Sequence, residues 1–231
     1  MGLIFDGVLQ AFRLLLSGDG EVWRITLLSL EISATATLLA LAVGIPGGTL
    51  LALTRFPGRG LVVSLVNTGM GLPPVVVGLF VTILLWRNGL LGALELLYTP
   101  SAMVLAQLVI AAPIVTGLTL AAVQQIPERF RLQLLALGAS RVQMTWVLIK
   151  EARLPMLAAL MAGFGGVVSE VGASMMVGGN IKGSTRVLTT ATVLETGKGN
   201  FDVAIALSVI LLAITFLVNW ALTWIQQRRR A

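Results

Sequence analysis

Histidine and cysteine are both absent from the 231 residues. Without cysteine there is no disulfide framework, no zinc–thiolate site and no thiol nucleophile. Without histidine the commonest general base, the Ser-His-Asp triad and the usual metal ligand are missing too. Ordinary hydrolase chemistry therefore fits poorly. Charge is also scarce: 11% of residues are Asp, Glu, Lys or Arg, against about 25% in a soluble domain. Disorder and collagen are excluded on composition.

What fills the chain instead is apolar. Hydrophobic residues make up 57%, and the mean hydropathy is +0.95. A soluble protein this apolar lacks the polar surface to cover its core, so the sequence reads as an integral membrane protein. A bilayer crossing takes about 20 mostly apolar residues. Five stretches qualify: residues 25–54, 61–86, 101–123, 156–179 and 203–225. The first is long enough to tilt or to extend past the bilayer. The expected fold is all-α, a polytopic bundle of about five transmembrane helices in one domain, residues 1–231.

Residues 1–20 read differently. Ile4, Phe5, Val8, Leu9, Phe12, Leu15 and Leu16 recur at helical spacing, with Asp6, Gln10 and Arg13 on the other face. This predicts an amphipathic helix, either lying in the membrane interface or packed on the bundle. The charge order, Asp6 before Arg13, does not match a secretory signal.

The net charge of +6 has a topological reading. The cations sit between and after apolar runs without aromatic interleaving, which argues against nucleic acid. With the N-terminus outside, ten Lys/Arg fall in inner segments and six in outer ones. The positive-inside bias then gives N-out, C-in, with Arg228-Arg229-Arg230 as a cytoplasmic anchor. The inner segment 124–155 is the one substantial cytoplasmic feature. Pro127 and Glu128 open a helix, and Gly138-Ala139-Ser140 interrupts the pattern. Two short helices around a glycine turn are expected, a hairpin suited to docking a soluble partner.

Several features bear on chemistry. Glu31 and Glu170 fall inside apolar spans, where an ionised group costs about 2.5–3.5 kcal/mol. Glu170 is the deeper and stands among Gly163, Gly165, Gly166, Gly172, Gly178 and Gly179. Small residues permit close helix approach, and the same need arises in a helix that slides. Pro73-Pro74, after Gly69 and Gly71, predicts a broken helix beside a cavity; Pro113 is a weaker case. Residues 178–185 faintly resemble a phosphate loop, but the lysine is misplaced and no strand precedes it. Any ATP must be bound by another chain. Segment 180–202, with Lys182, Arg186 and Lys198 among Thr, Ser and Asn, forms a net positive outer mouth, suited to an anion or docking protein, or simply a solvated loop.

Leu137-Gly138-Ala139-Ser140-Arg141, followed by Leu154-Pro155, resembles the cytoplasmic signature of ABC importer permeases. Ser169-Glu170-Val171-Gly172-Ala173-Ser174, running on to Gly179-Asn180-Ile181, is similar to the oxyanion permeases that move tungstate, molybdate or sulfate. Pro73-Pro74-Val75-Val76-Val77-Gly78 looks like their proline-broken helix, and Thr189-Thr190-Ala191 with Leu194-Glu195-Thr196 is most similar to the tungstate-specific branch. Leu132-Gln133-Leu134 stand where the family usually has Glu-Ala-Ala. The step from Gly138 to Pro155 is about one helical turn longer than usual.

The resemblance implies a type I importer fold like that of methionine importers, in a prokaryotic cytoplasmic membrane. It implies a homodimer with a cytoplasmic ATPase holding ATP and magnesium, and a periplasmic or lipid-anchored oxyanion-binding protein. This chain would bind no cofactor itself and would not be an enzyme. Residues 137–141 would couple to the ATPase. Pro73, Pro74, Glu170, Gly172, Gly179 and Asn180 would line the pathway. An ionised Glu170 would repel a dianion, so it must be neutralised, paired with a cation such as Lys182 or Arg186, or turned aside. The rival readings are an ion-gradient-driven transporter using Glu31 and Glu170, and a membrane scaffold without transport.

Overall fold

The computed structural model describes residues 2–16 and 18–228. Arg229-Arg230 lie outside the described residues, as do the side chains of Ile4, Asp6 and Leu15. Among the described residues the regular structure is helical, with no strand.

Two parallel helices form the spine, α2 (Gly20–Leu53) and α5 (Pro100–Gln124). At 1.5 Å per residue α2 is about 51 Å long, longer than a hydrocarbon core of about 30 Å. Asp19 starts it by accepting the amides of Glu21 and Val22, each at 3.0 Å. Small residues seat the pair closely. Ala36, Ala40, Ala106 and Ala111 are fully buried, and a Cβ on Gly44 would fall 2.7 Å from Val115 Cγ1. Dispersion between backbones at this separation replaces the hydrophobic drive that lipid removes. Pro46 and Pro113 lie inside these helices without ending them.

Two of the five expected spans are built as bent pairs. Helices α3 (Arg59–Met70) and α4 (Pro74–Leu85) meet at 105°. Helices α8 (Arg153–Val168) and α9 (Gly172–Gly178) meet at 57°. With α2, α5 and α11 (Phe201–Arg228) long and apolar enough to cross alone, the bundle has three to five crossings. Helix α1 (Gly2–Leu16) packs along α11. Gly7 is tight against Ile205, and Ala11 is buried. Phe5, Leu9, Phe12 and Leu16 remain exposed on its other side.

The ends of the bundle differ. At the end where α2 and α5 finish, α6 (Glu128–Ala136) and α7 (Arg141–Glu151) form a hairpin. The α11 C-terminus reaches this end too, where Gln226 Nε2 donates to Leu154 O at 3.3 Å. At the other end, where α2 begins, α10 (Leu188–Gly197) caps the bundle. The sequence expects an open mouth or loop at 180–202. The structure instead folds 188–197 into a helix whose Leu188, Thr189, Thr190 and Ala191 are buried. Its threonines fit because their hydroxyls bond backbone: Thr192 donates to Leu188 O, and Thr196 to Thr192 O, both at 2.8 Å.

Glu195 sits on this cap. Its carboxylate accepts from Asn200 Nδ2 at 2.8 Å and Lys198 Nζ at 2.7 Å. The Asn200 bond, then the Lys198 bond and the positive charges of Lys198 and Arg186, hold it below the usual 4.5 against a smaller opposing effect of burial. A depressed native value stabilises the fold above the unfolded-state value, and that contribution disappears as pH falls through the native value. Wild type is therefore expected to melt higher than Glu195→Gln at pH 6–7. The gap should close as the pH drops below about 4, which a melting series across that range reads directly.

Candidate functional site

The two helix breaks meet in the middle of the bundle. Pro73 precedes α4 in extended backbone, and Pro74 opens it. A proline at the first helical position leaves no amide unsatisfied, so the chain turns sharply after Gly71 and restarts. The second break has no proline. Ser169 ends α8 with its hydroxyl donating to Gly165 O at 2.8 Å, and Gly172 begins α9. Each break is set against the other. A Cβ on Gly172 would lie 2.7 Å from Val75 Cγ2, and one on Gly78 would lie 2.7 Å from Ala173 Cα.

Glu170 stands at this junction and is buried. Its Oε1 accepts the Ala173 amide at 2.8 Å, and its carbonyl accepts the Thr189 hydroxyl at 2.9 Å. The side chain thus turns back onto the first turn of α9. Lys182 and Arg186, whose pairing with it is one of the three ways the sequence leaves open for offsetting its charge, instead engage Glu21. Around Glu170 lies a polar void of about 10 Å³, walled in part by Ser29, Ser33, Gln107 and Thr189. Gln107 Nε2 donates to Ser174 Oγ at 3.4 Å, while its Oε1 is buried without a protein partner. Sequence reasoning missed Gln107, Ser29 and Ser33, which are isolated polar residues in apolar runs. Glu31, the other carboxylate within an apolar run of the sequence, is exposed on α2.

The geometry assigns Glu170 a measurable structural share. Glu170→Ala leaves the buried Ala173 amide unpaired, a loss of about 1–3 kcal/mol. Glu170→Gln keeps an acceptor at the same reach and should cost clearly less. Melting of the purified protein is expected to rank wild type, Gln, then Ala. An equal loss in both variants would mean that charge, not the amide bond, is what matters there.

Gly179 and Asn180 lie at the far end of α9. Gly179 closes the helix in the left-handed region (φ 70°), its amide donating to Met175 O at 2.9 Å. Asn180 continues at φ 50°, a conformation asparagine tolerates better than most residues. Its Nδ2 donates to Thr190 O at 3.3 Å. Both residues therefore shape the turn from α9 towards α10. The structure brings Pro73, Pro74, Glu170 and Gly172 together and sets Gly179 and Asn180 a helix length away.

Leu137, Gly138, Ala139, Ser140 and Arg141 are at the opposite end, in the α6–α7 turn. Gly138 has φ +83°, where a Cβ is strained by about 1–2 kcal/mol. Ser140 and Gln143 form a reciprocal cap: Ser140 Oγ accepts Gln143 N at 3.3 Å, and Gln143 Oε1 accepts Ser140 N at 2.8 Å. The turn is therefore rigid, and it presents apolar side chains outward. Leu137 is 85% exposed, Val142 80% and Trp146 58%. Lys150 Nζ lies 3.8 Å from the Trp146 ring centre.

Three comparisons bear on this arrangement. Residues 44–231 match the family described as "Binding-protein-dependent transport system inner membrane component". The "Tungstate uptake system permease protein TupB" of Peptoclostridium acidaminophilum is 38% identical, covering 98% of this chain and all of that protein. A "Probable anion ABC transporter permease protein" of Haloferax volcanii is 42% identical over 84% of this chain and 86% of its own. Among solved structures, a chain of the inward-facing MetNI methionine ABC transporter superposes with a TM-score of 0.72. It covers 90% of this chain and 94% of that one at 22% identity, a likeness of fold.

Proposed function

The chain belongs to the binding-protein-dependent transport system inner membrane component family, and from that premise we propose that it is the membrane subunit of an ATP-driven importer for tungstate. The observation that supports transport most directly is the interlock of two broken spans, with Gly78 on Ala173 and Gly172 on Val75. Broken helices expose backbone dipoles at membrane depth, where they can line a polar path. The carboxylate of Glu170, turned onto the α9 backbone, is drawn away from a passing dianion. Tungstate is the substrate favoured by the full-length likeness to a tungstate uptake permease.

Two copies of the chain form the pathway, with the α6–α7 hairpin in the cytoplasm of a prokaryotic cell. The cations Arg55, Arg59, Arg129, Arg131, Arg141, Lys150 and Arg153 fall in or beside segments at the hairpin end, which suits that orientation. Helix α1 then flanks α11 at the membrane boundary, its exposed Phe5, Phe12 and Leu16 towards lipid. A separate ATPase docks on the hairpin and supplies the ATP and magnesium chemistry. A binding protein delivers the anion at the opposite end.

The test is elemental. Cells lacking the gene, and lacking redundant uptake systems, are grown with trace tungstate, molybdate and sulfate. Tungsten, molybdenum and sulfur per cell are then counted by mass spectrometry. Tungsten alone is expected to fall and to return with the gene. A fall in molybdenum or sulfur instead would reassign the substrate, and no change in any of the three would end the oxyanion reading.

A further inference from the structure

A second polar feature lies beside the Glu170 void, towards the end where α2 begins: Leu28 and Arg186 line it, and their neighbours Ser29 and Val187 line the void. The first turn of α2 and the turn joining α9 to α10 enclose a groove of about 260 Å³, walled by Glu21, Arg24, Lys182, Gly183, Ser184 and Arg186. Three cations against one carboxylate leave it a net charge of +2. Arg24 is anchored by donating Nη2 to Gly183 O. Glu21, positioned by the Asp19 cap one residue before α2 starts, reaches across the groove. One of its oxygens lies 2.7 Å from Lys182 Nζ, the other 3.4 Å from Arg186 Nη1. Arg186 is not thereby satisfied: its Nε is buried and has no partner, an arrangement that costs free energy unless an acceptor arrives.

The donors thus outnumber the acceptors, and the surplus charge is +2. We propose that this groove is a receiving site for a tetrahedral dianion, in which Glu21 is the resident anion that the ligand displaces. A carboxylate offers two oxygens and one charge. A tetrahedral oxyanion offers four oxygens and two charges. It can therefore take over Lys182 and Arg186 from Glu21, and a turn of the Arg186 side chain would bring its now buried Nε to a further oxygen. Glu21 keeps the cations apart and the groove open while no ligand is bound. Its release would free the 180–187 turn, which continues from the α9 half of the broken span. The inference rests on the oxyanion-importer reading and adds an entry site to it.

The experiment uses the full-length chain in lipid nanodiscs, titrated calorimetrically with sodium tungstate and sodium sulfate, and with sodium perchlorate at matched ionic strength. Saturable binding of the dianions but not of perchlorate is expected. Arg186→Gln and the more exposed Lys182→Gln should each weaken it about tenfold or more. Glu21→Gln should tighten it about threefold, an effect that a merely structural salt bridge would not produce. Lys198→Gln, outside the groove, should leave it unchanged. The site is overturned if neither wild type nor Glu21→Gln binds a dianion, or if perchlorate binds equally well. Equal weakening by Lys198→Gln would overturn it too. The titration decides the site, and elemental counts in cells carrying the same variants decide the importer reading independently. A chain that imports tungsten yet binds no dianion removes only the groove.

Discussion

Gly78→Leu is expected to yield no folded, transport-competent protein. At this position α4 touches α9 backbone to backbone. An ideal Cβ would stand 2.7 Å from Ala173 Cα, 3.2 Å from Met176 Sδ and 3.3 Å from Ala173 Cβ. The methionine can swing away, but the Ala173 backbone cannot. It is held from behind by the Glu170 carboxylate on its amide. Even Gly78→Ala must therefore part the two half-helices, and overpacking of this kind costs about 1–3 kcal/mol. For a chain of this length that is about 2–4 °C in melting temperature per kcal/mol. Leucine adds three more carbons into the same space. Gly197→Ala, with nothing within 4 Å of its Cβ, supplies the control and should be nearly neutral. Wild-type melting and uptake in Gly78→Leu would mean that the two breaks do not interlock.

The unequal visibility of the two breaks in the sequence has a physical origin. Pro73-Pro74 announces itself, because two successive residues lack the amide a helix needs, and Gly69 and Gly71 loosen the turn before it. Pro46 and Pro113 carry the same local signal but stay within continuous helices, so packing, not proline alone, decides. The break at 169–172 has no such mark. It is made by a bond from Thr189, nineteen residues away, and by a carboxylate that caps its own helix. From sequence, Glu170 stands in what reads as one glycine-rich span. The long spans α2, α5 and α11 and the glycine turn before α7 were legible because each follows from local composition. The α10 helix was not, since its threonines look like loop residues until their hydroxyls find backbone. Nor was the pairing of Glu21 with Lys182 and Arg186, which joins residues more than 160 positions apart.

At the other end of the bundle, a double substitution, Val142→Asp with Trp146→Ala, is expected to abolish uptake while leaving the chain folded in the membrane. These side chains are one helical turn apart on α7 and lie mostly outside the fold. Removing them touches no core contact, and exposed substitutions usually change stability by less than about 0.5 kcal/mol. Docking is another matter. An exposed apolar patch at the tip of a rigid hairpin is the kind of surface a partner buries. Truncating a central anchor commonly costs about 2 kcal/mol or more in binding, roughly thirtyfold in affinity. A buried aspartate in place of Val142 adds an uncompensated charge to that loss. Co-purification of the proposed ATPase with the tagged permease reads the effect directly. Wild type should retain it, the double variant should lose it, and Lys150→Gln should fall between, because it removes only the cation over the Trp146 ring. Retention of the ATPase by the double variant at wild-type stoichiometry would place the docking surface elsewhere on the hairpin end. The groove between α6 and the start of α8, lined by Gln125, Arg129, Phe130 and Glu151, would then be the next surface to test.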